Sequence, residues 1–173
     1  MSGNDGSRDG ERHHADRPQA RAPTGELADF LPYRLSVTSN AVSGLIAERY
    51  RKRFGLRIPE WRVIAVLGDR SGGAMTQRSL TEATLMDKVA VNRACKVLEE
   101  RGLLTRTPNA TDKRSHLLAL TREGRAIHED VMPLARLTES DLFAGFSEAE
   151  RAKLRGFLSR LHERSRELLG RSD

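Results

Sequence analysis

The chain has 173 residues, 38% of them hydrophobic and 31% charged, with a formal net charge of +6. That composition suits one compact domain, or a domain with helical appendages. Its single cysteine, Cys95, excludes an intrachain disulfide. No apolar run approaches the ~20 residues that span a bilayer, and the N-terminus lacks the apolar core of an export signal, so a cytoplasmic protein without a membrane partner is expected.

Residues 1–25 are rich in Gly, Ser, Asp, Arg and Pro and hold almost no large apolar side chains. Such a segment cannot offset its ordering entropy and reads as a disordered tail, with His13 and His14 a solvated pair rather than a metal site. Residues 26–54 read as mostly helical, with the long helix starting at Pro32 and stopping at Gly55. Tyr33, Val37 and Ala41 add apolar character beyond the stripe of Leu31, Leu35, Val42, Leu45 and Ile46. A helix apolar on several faces packs against more than one neighbour, often a second subunit.

Pro59 opens a buried helix over residues 60–68, which carries Trp61, Val63, Ile64, Val66 and Leu67. After a loop at residues 71–73, Thr76 caps a helix over 77–85 anchored by Leu80. Asp87 caps the next helix. Its core face is Val91, Ala94, Cys95 and Leu98; Lys88, Asn92, Arg93 and Lys96 occupy the rest. Gly102 ends it. Two short apolar runs, 103–107 and 116–120, flank a polar turn and predict a two-stranded hairpin. A second long helix follows Thr121, kinked at Pro133. Ser147 to Glu150 is a capping box that opens a last helix, reaching about residue 169.

Residues 70–122 carry ten Lys/Arg against five Asp/Glu, so most of the positive excess lies in this helix pair and hairpin. The order of support helix, basic helix, glycine stop and hairpin is that of a winged helix-turn-helix bound to double-stranded DNA. Candidate DNA contacts are Thr76, Gln77, Arg78, Lys88, Val89, Asn92, Arg93, Lys96, Arg106, Lys113 and Arg114. Asn92 suits adenine, and Arg93 or Lys88 suits guanine or phosphate. Arg78 and the amides near Thr76 suit phosphate. A wing-tip arginine suits a narrow minor groove. Asp112 repels DNA and is expected to pair with a wing arginine and fix its direction.

These residues resemble the MarR family of bacterial transcription regulators. Leu98-Glu-Glu-Arg-Gly-Leu-Leu-Thr-Arg106 matches the end of its reading helix and the start of its wing. Asp112-Lys-Arg114, followed by Leu120-Thr-Arg-Glu-Gly124, matches Asp-x-Arg and Leu-Thr-x-x-Gly. Many members carry an apolar residue and then glycine where this chain has Thr84-Leu85. The resemblance covers residues 27–169. It implies a mainly α fold with a small β wing and a homodimer. Residues 26–55 and 122–169 would form the helical dimerisation region, and residues 56–121 the winged helix-turn-helix domain. It also implies a pseudo-palindromic operator with half-sites on the order of 10 base pairs apart.

Leu31-Pro-Tyr-Arg-Leu-Ser36, Ser39-Asn40 and Pro59-Glu-Trp-Arg-Val63 resemble a branch tied to aromatic catabolism, whose effectors are small aromatic acids or their CoA thioesters. Arg34 could hold a carboxylate or phosphate, Asn40 is a second polar residue on an apolar helix, and Tyr33 and Trp61 could line an aromatic slot. Each also has a structural reading: Arg34 paired across a dimer, Asn40 bonded to backbone, Trp61 in the core. The expected function is a ligand-released repressor. The alternatives are a constitutive architectural DNA-binding dimer and a redox sensor working through Cys95. No nucleophile elbow, phosphate loop, metal-ligand cluster or carboxylate pair suggests an enzyme, a metal or a cofactor.

Overall fold

The computed structural model describes residues 25–69 and 73–170. The expected tail with His13 and His14 lies outside them except for Gly25, as do Ser71 and Gly72 of the expected loop. The chain divides into two compact units, Met1–Thr38 and Ser39–Asp173. In the described part of the first, helix α1 (Glu26–Asp29) precedes the start of helix α2 (Leu31–Phe54). Pro32 occupies the first turn of α2, where its missing N–H has no helical partner to lose. Leu27, Phe30, Leu31, Leu35 and Val37 are each at least 44% exposed.

In the second unit α2 ends at Gly55, whose φ of 61° is left-handed and cheap only for glycine. Helix α3 (Ile58–Gly68) begins ahead of the expected start at residue 60. The Arg57 amide donates to the Glu60 carboxylate at 2.9 Å, which satisfies a donor at the helix entrance and draws the helix back to Ile58. Then come strand β1 (Met75–Thr76), helices α4 (Gln77–Thr84) and α5 (Lys88–Glu100), strands β2 (Leu104–Pro108) and β3 (His116–Leu120), and helices α6 (Arg122–Leu142) and α7 (Glu148–Leu169). No helix among the described residues is long and apolar enough to cross a membrane.

The centre of the core is α3, which packs against α4, α5 and α6. Val63, Ile64 and Leu67 meet Leu80, Val91, Cys95, Leu98, Leu118 and Val131, all fully buried. The expected two-stranded hairpin is in fact part of a three-stranded antiparallel sheet of order β1-β3-β2. Met75 pairs with Leu118 and Thr76 with Leu117, while Arg106 pairs with Leu118 from the other side. Strand β2 sits one residue later than expected, and Pro108 fits because β2 is an edge strand.

The Leu-Thr-x-x-Gly motif has a steric basis. The Thr121 hydroxyl accepts from the Gly124 amide at 3.0 Å and donates to the Gly102 carbonyl at 2.8 Å. The Thr121 amide reaches the Leu103 carbonyl at 3.2 Å. These bonds press the first turn of α6 onto the chain leaving α5, and a Cβ at Gly124 would overlap the Leu103 carbonyl oxygen. A second tie is Arg101, at the C-cap of α5. Its guanidinium donates to the carbonyls of Phe54 at 2.7 Å and Gly55 at 3.3 Å, and lies 3.8 Å from Glu60. A cation thus closes the C-terminus of α2 and bridges to the entrance of α3.

The capping box at Ser147 and Glu150 forms as expected, with Ser147 N to Glu150 Oε2 at 2.8 Å. Yet α7 has no buried residue: Phe157, Leu158 and Leu161 are 56%, 44% and 53% exposed.

Candidate nucleic-acid interface

The geometry of the basic region starts from its caps. Thr76 is the last residue of β1 and the N-cap of α4, with its hydroxyl accepting from the Ser79 amide at 3.1 Å. The wing sheet therefore holds the entrance of the support helix. Asp87 caps α5 by accepting from the Ala90 amide at 2.8 Å. Between the two helices Leu85 takes a left-handed conformation, φ 53°, the one positive φ outside glycine among the described residues.

Across the front of α5, Lys88, Val89, Asn92, Arg93 and Lys96 are all exposed, while Val91, Ala94, Cys95 and Leu98 are buried. The Gln77 amide donates to the Asn92 side-chain oxygen at 3.4 Å, linking support helix to reading helix. Arg78 pairs with Glu82 at 3.1 Å and Lys96 with Glu100 at 3.8 Å, both along their own helices in solvent. Arg106, the least exposed of these cations, reaches back from β2 to Glu99 at 3.4 Å and ties the wing to α5.

The wing tip is built by side chains. Asn109 donates from its amide to the Ser115 hydroxyl at 2.9 Å and accepts from the Thr111 amide at 3.1 Å. Asp112 does not pair with a guanidinium, as was expected. Its carboxylate accepts from the Arg114 backbone amide at 3.0 Å, and its carbonyl accepts from the Ser115 amide at 2.9 Å. A short side chain bonding two residues ahead is a turn-former, so Asp112 shapes the loop that carries Arg114. Lys113 and Arg114 remain exposed, with no ion pair among the described residues.

A groove of about 720 Å³ runs between the wing and the helix pair. It brings together Thr76, Gln77, Arg78, Lys88, Arg106, Asp112 and Arg114 of the expected residues. Val89, Asn92, Arg93, Lys96 and Lys113 lie outside its lining. It adds Thr81, Glu82, Asn109, Ser115 and His116, which were not among the expected contacts. Asn109 and Ser115 carried a signal, since polar turn-formers at both ends of a loop often bond across it; Thr81 and His116 carried none.

The expected effector residues fall in both units. In the first unit Tyr33 is half-buried and Arg34 exposed. In the second, Asn40 is exposed and Trp61 is 9% exposed, a core aromatic. The Trp61 ring lies 5.5 Å from that of Tyr50 and stacks on His128 at 6.1 Å and 22°. Burial pushes the Tyr50 hydroxyl up to about 12 against the pull of Arg51 and Arg62. Burial, helped by Arg125, lowers His128 below the usual imidazole value. Cys95 is fully buried and its thiol is pushed up to about 11 by burial, so the reactive thiolate is scarce at neutral pH. No group of His, Cys, Asp and Glu among the described residues could hold a metal ion.

An exposed basic helix, a support helix and a charged wing around one groove define a winged helix DNA-binding protein. The MarR family pattern matches residues 54–115. The HTH-type transcriptional regulator PecS of Dickeya dadantii is 30% identical over 78% of this chain and 84% of its own. A MarR family transcriptional regulator from Silicibacter pomeroyi DSS-3 superposes with a TM-score of 0.69 at 31% identity, covering 81% of this chain and 98% of that one. BpsR of Bordetella bronchiseptica, whose DNA binding is regulated by 6-hydroxynicotinic acid, superposes with a TM-score of 0.67 at 25% identity over 76% and 98%. The chain belongs to the MarR family and is a DNA-binding transcriptional regulator.

Proposed function

We propose that this protein is a homodimeric repressor that holds a pseudo-palindromic operator and releases it on binding a small aromatic acid or its CoA thioester. The observation that carries the DNA-reading part is the exposed Lys88–Arg93 face of α5 beside a groove shared with Arg78, Arg106 and Arg114. Lys88, Val89, Asn92, Arg93 and Lys96 meet the major groove, Thr76, Gln77 and Arg78 the backbone, and Arg106, Lys113 and Arg114 the wing-side strand. Residues 56–121 form the reading domain; residues 26–55 and 122–169 form the dimerisation region. The exposed apolar residues of α1, early α2 and α7 support a second copy as their cover, since such faces mark association surfaces.

The effector class rests on the likeness to BpsR and on the cation Arg34, the aromatic residues Tyr33 and Trp61 and the amide of Asn40. Fluorescence anisotropy with the duplex upstream of the coding gene tests both halves. Affinity falls steeply with salt, and Arg114→Ala lowers both the affinity and the salt slope, by about one unit for a lost phosphate contact. A panel of aromatic acids and their CoA thioesters contains a member that releases the wild type, while Arg34→Ala still binds DNA and is not released. Unaltered affinity in Arg114→Ala removes the wing from the interface. Joint loss of binding and folding in Arg34→Ala makes that arginine structural.

A further inference from the structure

This inference rests on the DNA-reading assignment above and concerns what α5 reads. The helix turns Val91, Ala94, Cys95 and Leu98 into the core. On the opposite face polar side chains are expected throughout, yet Val89 stands there 58% exposed. Positions 89, 92, 93 and 96 are three or four residues apart, so Val89 shares one stripe with Asn92, Arg93 and Lys96. It belongs neither to the buried core nor to the partly buried residues packed against it. A β-branched side chain at an exposed helical site is a weaker helix former than alanine or lysine, so local structure gives no reason for valine here.

Val89 lies in the first turn after the Asp87 cap, between Lys88 and Asn92, where a reading helix meets base edges. The Asn92 oxygen accepts from Gln77, and its NH₂ has no hydrogen-bond partner among the described residues, so it is open to donate to a base. Valine has neither donor nor acceptor and gains nothing from phosphate or sugar. In the major groove the apolar group on offer is the C5-methyl of thymine.

We propose that Val89 contacts a thymine methyl in each operator half-site, next to the base pair that Asn92 addresses. The position then discriminates thymine from cytosine through an apolar contact rather than a hydrogen bond.

The test uses the full chain and duplexes that it selects from a random-sequence pool. Each thymine of the selected site is replaced in turn by deoxyuridine, which removes the methyl and leaves every hydrogen-bonding group intact. One position per half-site weakens the wild type about four-fold, the effect of burying one methyl-sized group. Substituting it in both half-sites weakens binding about sixteen-fold. In Val89→Ala, which loses both γ-methyls, the thymine duplex binds more weakly and the penalty at that position falls. Alanine favours the helix at this exposed site, so the variant keeps its thermal stability. Val89→Thr, of similar shape and with one methyl left, serves as the second variant and keeps part of the penalty. Deoxyuridine that is silent at every position, or a penalty undiminished in Val89→Ala, overturns the proposal. Failure to select any duplex overturns the DNA-reading assignment itself, and this proposal with it.

Discussion

Replacing Gly124 with alanine separates tertiary fit from helix propensity, because the two predict opposite signs. Gly124 lies in the first turn of α6, and alanine in a helix is favoured over glycine by about 1 kcal/mol. An open site would therefore gain stability. Here the added Cβ overlaps the Leu103 carbonyl oxygen and meets a Leu120 methyl at 3.4 Å. The overlapping atom is backbone, held by the Thr121 amide while the Thr121 hydroxyl bonds Gly102 and Gly124 on either side, so the helix entrance must shift. Overpacking of this kind costs about 1–3 kcal/mol beyond any propensity gain. For a chain of this length each kcal/mol moves Tm by about 2–4 °C, so a fall of roughly 2–12 °C is expected. Calorimetry and urea unfolding measure it, the urea midpoint falling at constant slope. An unchanged or raised Tm would refute the steric account of the motif.

Arg101→Ala removes the guanidinium from the Phe54 and Gly55 carbonyls and from Glu60, and should destabilise by about 2 kcal/mol, discounted for the partial exposure of Arg101. A urea midpoint within error of wild type would show the tie to be incidental. His128 has its pKa lowered on folding, from 6.5, by burial and Arg125, so the unfolded chain binds the extra proton. Its contribution is intact above about pH 6.5 and is lost as pH falls toward the folded value. Stability measured from pH 7.5 to 5 should therefore drop more steeply in wild type than in His128→Gln; parallel curves would dismiss the imidazole as a source.

Much of the fold was legible because its determinants are local. Thr76, Asp87 and Ser147 all cap helices as expected, since a short polar side chain three residues before a free amide needs no distant partner. The buried face of α5 followed from spacing alone. Strand β1 was not legible, because two residues show no alternation and pair only when β3 is brought beside them. Arg101 stood only as one letter of the Leu98–Arg106 motif; its partners at Phe54 and Gly55 lie 47 and 46 residues away. Asp112 was expected to pair with a wing arginine; its carboxylate bonds the Arg114 backbone amide instead, which side-chain charges do not reveal. Leu85 marks the reverse case. The departure from glycine was visible, and the left-handed backbone persists under a leucine because the Thr76 and Asp87 caps pin the helices on either side.

The small strand β1 also limits how such a molecule can be switched. Through it the entrance of the support helix and the wing belong to one hydrogen-bonded sheet, and Arg106 fastens that sheet to α5. Displacing any one of the three DNA-facing parts by an ångström relative to the others breaks backbone pairing or that ion pair. A signal that loosens the grip on DNA without melting the domain is then restricted to carrying the reader as a block.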